Sequence, residues 1–280
     1  MTRTEIAALI CELKTVFDVV RLVDGSMTTQ YSVRQTGEMI PEPYECYAVW
    51  NRNRRCENCI SAKAFIGKCK MTKFEFIEHD VHFVVSQYVT VEDTPYVLEI
   101  VEKVSDQTLF GAYGRNDFVD AINAYNQKLY LDVLTGSYNR QYYNEQLCGL
   151  PQINAVAMVD VDNFKQINDS YGHPAGDIVL QEVVKAIRLC IGSSDAVIRF
   201  GGDEFVLTFQ QASEQTLCEK LEAVRKAVGQ IRIEEHPALR TTISIGAVYC
   251  AGKACDQLRE ADKALYLAKK EKDRIKVNII

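Results

Sequence analysis

The chain has 280 residues, 25% of them charged, and a formal net charge of −6; this leaves room for two domains with separate cores and disfavours a general nucleic-acid binder. No stretch reaches about eighteen uninterrupted apolar residues, and Glu5 and Glu12 break the N-terminal apolar run that a signal peptide would need, so the sequence predicts a soluble, cytoplasmic protein without a membrane partner. Ten cysteines without secretory signals predict reduced thiols rather than a disulfide framework.

In chain order, Ile6, Leu9, Ile10, Leu13, Val16 and Phe17 share helical spacing, and a β-like run, Val19 to Val23, follows and closes at Asp24-Gly25. Arg52, Arg54 and Arg55 read as a solvated basic loop. Cys56-Glu57-Asn58-Cys59, flanked by Cys46 and Cys69, suggests a metal at Cys56/Cys59, a redox dithiol, or buried thiols without a role; the paired spacing of a zinc ribbon is missing. Three alternating runs, Phe74 to Glu78, Val81 to Val91 and Tyr96 to Val104, predict antiparallel hairpins. Within them His79 and His82 are an odd number apart, which on one strand puts them on opposite faces and argues against joint ligation. One early strand, an irregular helical middle and three late strands resemble a PAS sensor domain over residues 1–115, implying an unknown small-molecule, metal or redox signal there. Over 116–131, Phe118, Ile122, Tyr125 and Leu129 form the seam of a short coiled-coil linker, the alternative being an amphipathic helix lying on its own domain.

Beyond residue 132 the pattern changes. Ala155 to Val161 is an apolar strand meeting Asp160, and Ala196 to Phe200 runs into Gly201-Gly202-Asp203-Glu204 and out through Phe205 to Leu207, a hairpin with a glycine tip. Glycine allows positive φ and close backbone approach, and carboxylates beside it are hard oxygen ligands for Mg²⁺. Between these segments, Phe164, Ile167 and Tyr171 share helical spacing, leaving the intervening acids, amides and one lysine to face a nucleotide.

With Asp132-Val133-Leu134-Thr135-Gly136, Thr242 to Ala247 and Ala261 to Lys269, these motifs resemble the GGDEF family, the diguanylate cyclases that condense two GTP into cyclic dimeric GMP. The resemblance covers 132–280 and implies an α/β (α+β), antiparallel-rich palm like that of nucleotidyl cyclases, working as a homodimer on GTP with Mg²⁺ or Mn²⁺. By the same resemblance Asp160, the Val161 carbonyl and Asp203 hold metal, and Asp203 sits at the catalytic general-base position, with Glu204 a second candidate. Asn163 and Phe164 offer backbone N–H groups to phosphate, Lys165 and Lys269 contact phosphate, and Asn168 and Asp177 read guanine. Asp177 has a second reading as the N-cap of a helix starting near Ile178. Two departures from the family stand out. Lys272-Asp273-Arg274 replaces Gly-Arg-Asn, so the second phosphate cation is displaced or comes from Arg274; Gly192-Ser193-Ser194-Asp195 lacks the arginine of the product-inhibition motif. A catalytically silent GTP-binding module and a cyclase making a single-ring nucleotide are the rival readings.

Overall fold

The computed structural model describes residues 1–52, 55–56, 58–77, 80–105, 114–148, 150, 152–250 and 254–280. The chain forms two compact units, Met1–Gln127 and Lys128–Ile280.

The first unit begins with helix α1 (Arg3–Leu13), opened by a capping box in which Thr2 and Glu5 each bond the other's backbone N–H. The predicted spacing ran on to Phe17, but the helix stops at Leu13, and Thr15 turns its hydroxyl onto the Glu12 carbonyl at 2.7 Å. Strands β1 (Val19–Asp24), β2 (Gln30–Val33) and β3 (Met39–Pro41) come next. A 3₁₀ turn (Cys46–Trp50) and helix α2 (Ile60–Gly67) lead to β4 (Lys70–Ile77), β5 (Asp80–Val91) and β6 (Thr94–Lys103). The sheet is antiparallel throughout, in the order β3-β2-β1-β6-β5-β4. Three strands therefore precede the helical middle, not one; β2 and β3 are too short and polar to show a period.

Side-chain alternation splits this sheet. Val20, Leu22, Val91 and Leu98 face α1 through Ile6 and Ile10. On the other face Arg21 and its register partner Glu99 form a buried ion pair, with Ser61 donating to Glu99 at 2.6 Å. Arg52 bonds the buried Glu75 at 2.7 Å rather than standing in a solvated loop. Helix α3 (Gly114–Tyr130) follows, and its Phe118 packs edge-on against Phe74 and Phe76. The first seam position thus lies on its own unit, the alternative raised for this helix; Tyr125 is exposed.

The second unit has a six-stranded sheet in the order β12-β11-β8-β10-β9-β7. Its strands are β7 (Tyr138–Asn139), β8 (Ile153–Val161), β9 (Ala196–Arg199), β10 (Glu204–Gln210), β11 (Ile243–Tyr249) and β12 (Ile275–Ile279). The three central pairings are antiparallel and the two outer ones parallel, so the expected mixed α+β palm is what forms. A short turn of helix, α4 (Arg140–Tyr142), precedes β8; α5 (Phe164–Tyr171) and α6 (His173–Cys190) follow it. Helices α7 (Glu214–Gly229) and α8 (Ala254–Lys269) flank β11 in sequence.

Alternation again decides what meets what. Ala155, Ala157, Val159 and Val161 of β8 enter one core with Val179 and Val183 of α6 and Leu217, Leu221 and Val224 of α7. The intervening Met158 and Asp160 lie opposite Gly246 and Ser244 of β11, on the face that α8 covers. Contact there is so close that a Cβ on Gly246 would stand 1.9 Å from the Leu265 nitrogen and 2.4 Å from the Ala261 oxygen. Asp160 is thus brought to the end of the sheet beneath the last turn of α8.

Candidate active site

Asp160 and Glu204 are direct register partners across β8 and β10. Directly opposed like charges destabilise a sheet, and Asp203 adds a third carboxylate at the hairpin tip, held beside β8 because the Val161 N–H donates to the Asp203 carbonyl at 3.2 Å. Burial, then the neighbouring Asp203 and Glu204, push the Asp160 carboxyl up to about 6 against the opposing pull of Lys269. The Lys269 ammonium, at the end of α8, sits 2.6 Å from Asp160 Oδ2. This cluster is built to hold positive charge.

Glycines act differently here from expectation. Neither Gly201 nor Gly202 adopts positive φ. Gly201 lies against the Glu204 carboxylate, 3.2 Å from where its Cβ would be, and a Cβ on Gly202 would meet nothing within 4 Å. They keep the tip narrow and open, not left-handed. Its orientation comes from Arg199, which donates to the Gly202 carbonyl at 2.8 and 3.1 Å and to Asp132 at 3.1 Å. Asp132 also accepts from the Thr135 N–H and hydroxyl. Arg140 lies over the Phe200 ring at 4.5 Å, and Asn139 caps α4 while donating to the Leu129 carbonyl at 2.8 Å. The opening motif is therefore a clamp on the hairpin.

Asn163 takes a left-handed conformation, φ 58, which turns the chain from β8 into α5 with Phe164 as the first helical residue. Lys165 is exposed on this helix. Ile167 is buried and Phe164 half-buried, whereas Tyr171 is exposed at the rim and meets His236 edge-on at 5.3 Å. Gly172, φ 85, separates α5 from α6. Asn168 has a buried Oδ1 with no hydrogen-bond partner, and a Cβ on Gly176 would stand 2.0 Å from it. Because α6 begins at His173 with Gly172 as its cap, Asp177 lies inside the helix and caps nothing; its side chain is exposed. The capping alternative for Asp177 is overturned.

Residues 129–274, just over half of the chain, match the family described as diguanylate cyclase, GGDEF domain. The chain belongs to the GGDEF family. Diguanylate cyclase A of Treponema denticola is 40% identical over 119 residues, which is 41% of this chain and 32% of that protein. The chain spans about a third of the length of the curated relatives it matches. Among solved structures, the diguanylate cyclase SiaD of Pseudomonas aeruginosa, in complex with its activator SiaC, is 31% identical with a TM-score of 0.50, over 59% of this chain and 67% of that one. The coiled coil and GGDEF domain of DgcB from Caulobacter crescentus, in complex with c-di-GMP, shares the fold at 22% identity and a TM-score of 0.54, over 58% of this chain and 93% of that one.

Sequence reasoning missed Asp162, which is buried in this GGDEF unit and accepts from Thr242 and Ser244 at 2.7 Å and from the Asp273 N–H at 2.9 Å. Hydroxyls at Thr242 and Ser244 opposite an acidic strand end were the available signal. Asp162 anchors the loop after α8, where the chain departs from the GGDEF pattern. There the Arg274 guanidinium bonds Glu271 at 3.3 Å, and Arg225 holds Asp273 at 2.6 Å. Arg274 is therefore turned onto its own helix end. Asp195 of the altered product-inhibition segment is buried on Lys220 at 2.5 Å and on the Gly192 N–H at 2.8 Å.

Among the described residues no three histidine, cysteine or carboxylate side chains converge in a metal-ligating group. At the GGDEF site Asp160 and Asp203 offer hard oxygens of the kind a divalent cation takes, and the Lys269 ammonium stands beside Asp160. In the first unit Cys46, Cys56 and Cys59 are buried. Cys59 caps α2 by accepting from the Ala62 N–H at 3.4 Å, Cys46 donates to the Met27 carbonyl at 3.2 Å, and burial pushes the Cys56 thiol up to about 12. Of the three readings raised for these cysteines, a metal at Cys56/Cys59 finds no group of three or more ligating side chains among the described residues. Cys148 is disulfide-bonded, against the expectation of reduced thiols throughout. His79 and Arg54 lie outside the described residues. No helix among those described is long and apolar enough to cross a membrane.

Proposed function

We propose that this chain is a diguanylate cyclase, condensing two GTP into cyclic di-GMP with release of two pyrophosphates. The observation that carries this reading is the opposition of Asp160 to Glu204 with Asp203 in the adjoining tip. Such a cluster of carboxylates calls for positive charge, here the Lys269 ammonium on Asp160, and suits the cations that accompany a polyphosphate. In the reaction the 3′-oxygen of one nucleotide bonds the α-phosphorus of the other, the bond to the β-phosphate oxygen breaks, and the hydroxyl proton passes to a base, for which Asp203 and Glu204 are the candidates. Bound Mg²⁺ or Mn²⁺, held by Asp160, Asp203 and the Val161 carbonyl, supplies charge neutralisation at the phosphates. Lys269, now on Asp160, would be the residue to hold phosphate. Asn168 and the exposed Asp177 read guanine: the carboxylate accepts from its two edge donors, which adenine lacks.

One site holds one GTP while the product joins two, so two copies must face each other and the working form is a homodimer. We assign 1–115 to a PAS-like sensor, 116–131 to the linker and 132–280 to the cyclase, acting in the cytoplasm on GTP, with the sensor signal reaching the clamp at Asp132 through α3. The altered 272–274 loop favours one rival, a silent GTP-binding module. Incubating the full chain with GTP and Mg²⁺ and resolving the nucleotides by chromatography tests the reading. Cyclic di-GMP and pyrophosphate are expected; unchanged GTP supports the silent module, and a single-ring product refutes the assignment.

A further inference from the structure

We infer that Lys272, not Arg274, supplies the second cation for the β- and γ-phosphates of the bound nucleotide. The inference rests on the proposed GTP site, and its own ground is the loop after α8. Lys272 and Asp273 both stand in the left-handed region, φ 55 and 46, a conformation costly for any side chain larger than glycine and kept only where the surroundings over-determine it. Three contacts do so: the Lys272 N–H bonds the Ala268 carbonyl at 3.1 Å, the Asp273 N–H bonds buried Asp162 at 2.9 Å, and Arg225 holds the Asp273 carboxylate at 2.6 Å.

The result is directional. Asp273 is drawn to α7 and neutralised, Arg274 is drawn to Glu271, and the Lys272 ammonium reaches the Asn163 side-chain oxygen at 2.7 Å, at the entrance of α5. Lysine has three donors, and the Asn163 bond uses one. Lys269, three residues earlier, stands over Asp160. Asn168 lies five residues along α5 from Asn163, about 7 Å by helical rise. Cations therefore mark one end of α5 and the base-reading amide the other, which lays the nucleotide along this helix with its terminal phosphates at Lys272. A compact ammonium suits non-bridging phosphate oxygens, where no planar fork is required.

The test uses the full chain and measures affinity for a non-hydrolysable GTP analogue, GDP and GMP in Lys272→Gly, Lys272→Arg and Arg274→Ala. Glycine suits the left-handed backbone, so the loop keeps its shape and a loss of binding reads the Lys272 side chain, its charge together with its bond to Asn163. Expected for Lys272→Gly is a loss of about tenfold for the triphosphate, a smaller loss for GDP and none for GMP, with Lys272→Arg retaining most of the affinity and Arg274→Ala unchanged. Triphosphate affinity within twofold of the parent in Lys272→Gly, equal losses for GTP analogue and GMP, or a loss carried by Arg274→Ala would overturn the inference while leaving the cyclase reading intact. A parent chain that binds no GTP analogue would overturn both.

Discussion

Replacing Gly246 by alanine tests how the face carrying the proposed site is assembled. The added methyl would lie 1.9 Å from the Leu265 nitrogen and 2.4 Å from the Ala261 oxygen, both backbone atoms that no rotamer change can clear. Restoring ordinary contact requires α8 to retreat from β11 by about 1.5 Å, and overpacking of this kind costs about 1–3 kcal/mol. Because the clash is with backbone, the upper end applies, and melting should fall by about 6–12 °C for a chain of this size. The same retreat withdraws Lys269, one helical turn beyond Leu265, from Asp160, whose ion pair is now 2.6 Å long. Circular-dichroism melting and GTP turnover of Gly246→Ala should therefore fall together. A variant whose melting temperature stays within 2 °C of the parent, or which loses stability yet keeps full turnover, would refute the claim that this contact sets the height of α8 over the site.

Asp160 sets a pH dependence: its folded value of about 6 lies above the ordinary 3.8, so its contribution to stability is full below 3.8 and is lost as pH rises through 6. In metal-free chelated buffer, Asp160→Asn should flatten that decline while abolishing turnover, and urea midpoints at pH 5 and 8 measure it. Arg199→Ala frees both the Gly202 carbonyl and Asp132; stability should drop by about 1–2 kcal/mol, with a fall in kcat larger than any change in KM, read by denaturation and steady-state kinetics. Asp195→Ala should lower the melting temperature by releasing Lys220 and the Gly192 N–H, and leave titration with cyclic di-GMP unchanged, since that carboxylate is already bonded to α7 and to its own loop.

The strands of the second unit were legible because β8, β10 and β11 each carry a buried apolar face, and the acids stand where those faces end. The β9–β10 hairpin was legible as well, whereas the register of β10 on β8 that sets Glu204 opposite Asp160 joins segments far apart in sequence. What escaped was anything set by contact between distant segments. Asp162 looked like one more acid in a polar run, although three donors from two other elements converge on it. Tyr171 has the spacing of a core residue but falls at the end of an eight-residue helix, where Gly172 breaks the period and leaves the ring at the rim. Phe118 kept a seam-like spacing, yet the phenylalanines of β4 lie near enough to take it. In the first unit, β2 and β3 span four and three residues, too few for alternation to register.

Asp162 also warns against reading function from inactivity. Two residues from a proposed metal ligand, in a motif full of acids, it would stand out in any alanine scan as a residue the protein cannot lose. Yet both its oxygens are committed to hydroxyls and a backbone amide. Its removal would unfasten the start of one strand and the turn carrying Lys272, silencing the protein from the scaffold side; rescue by asparagine, which can keep part of that bonding, would tell a fastener from a ligand.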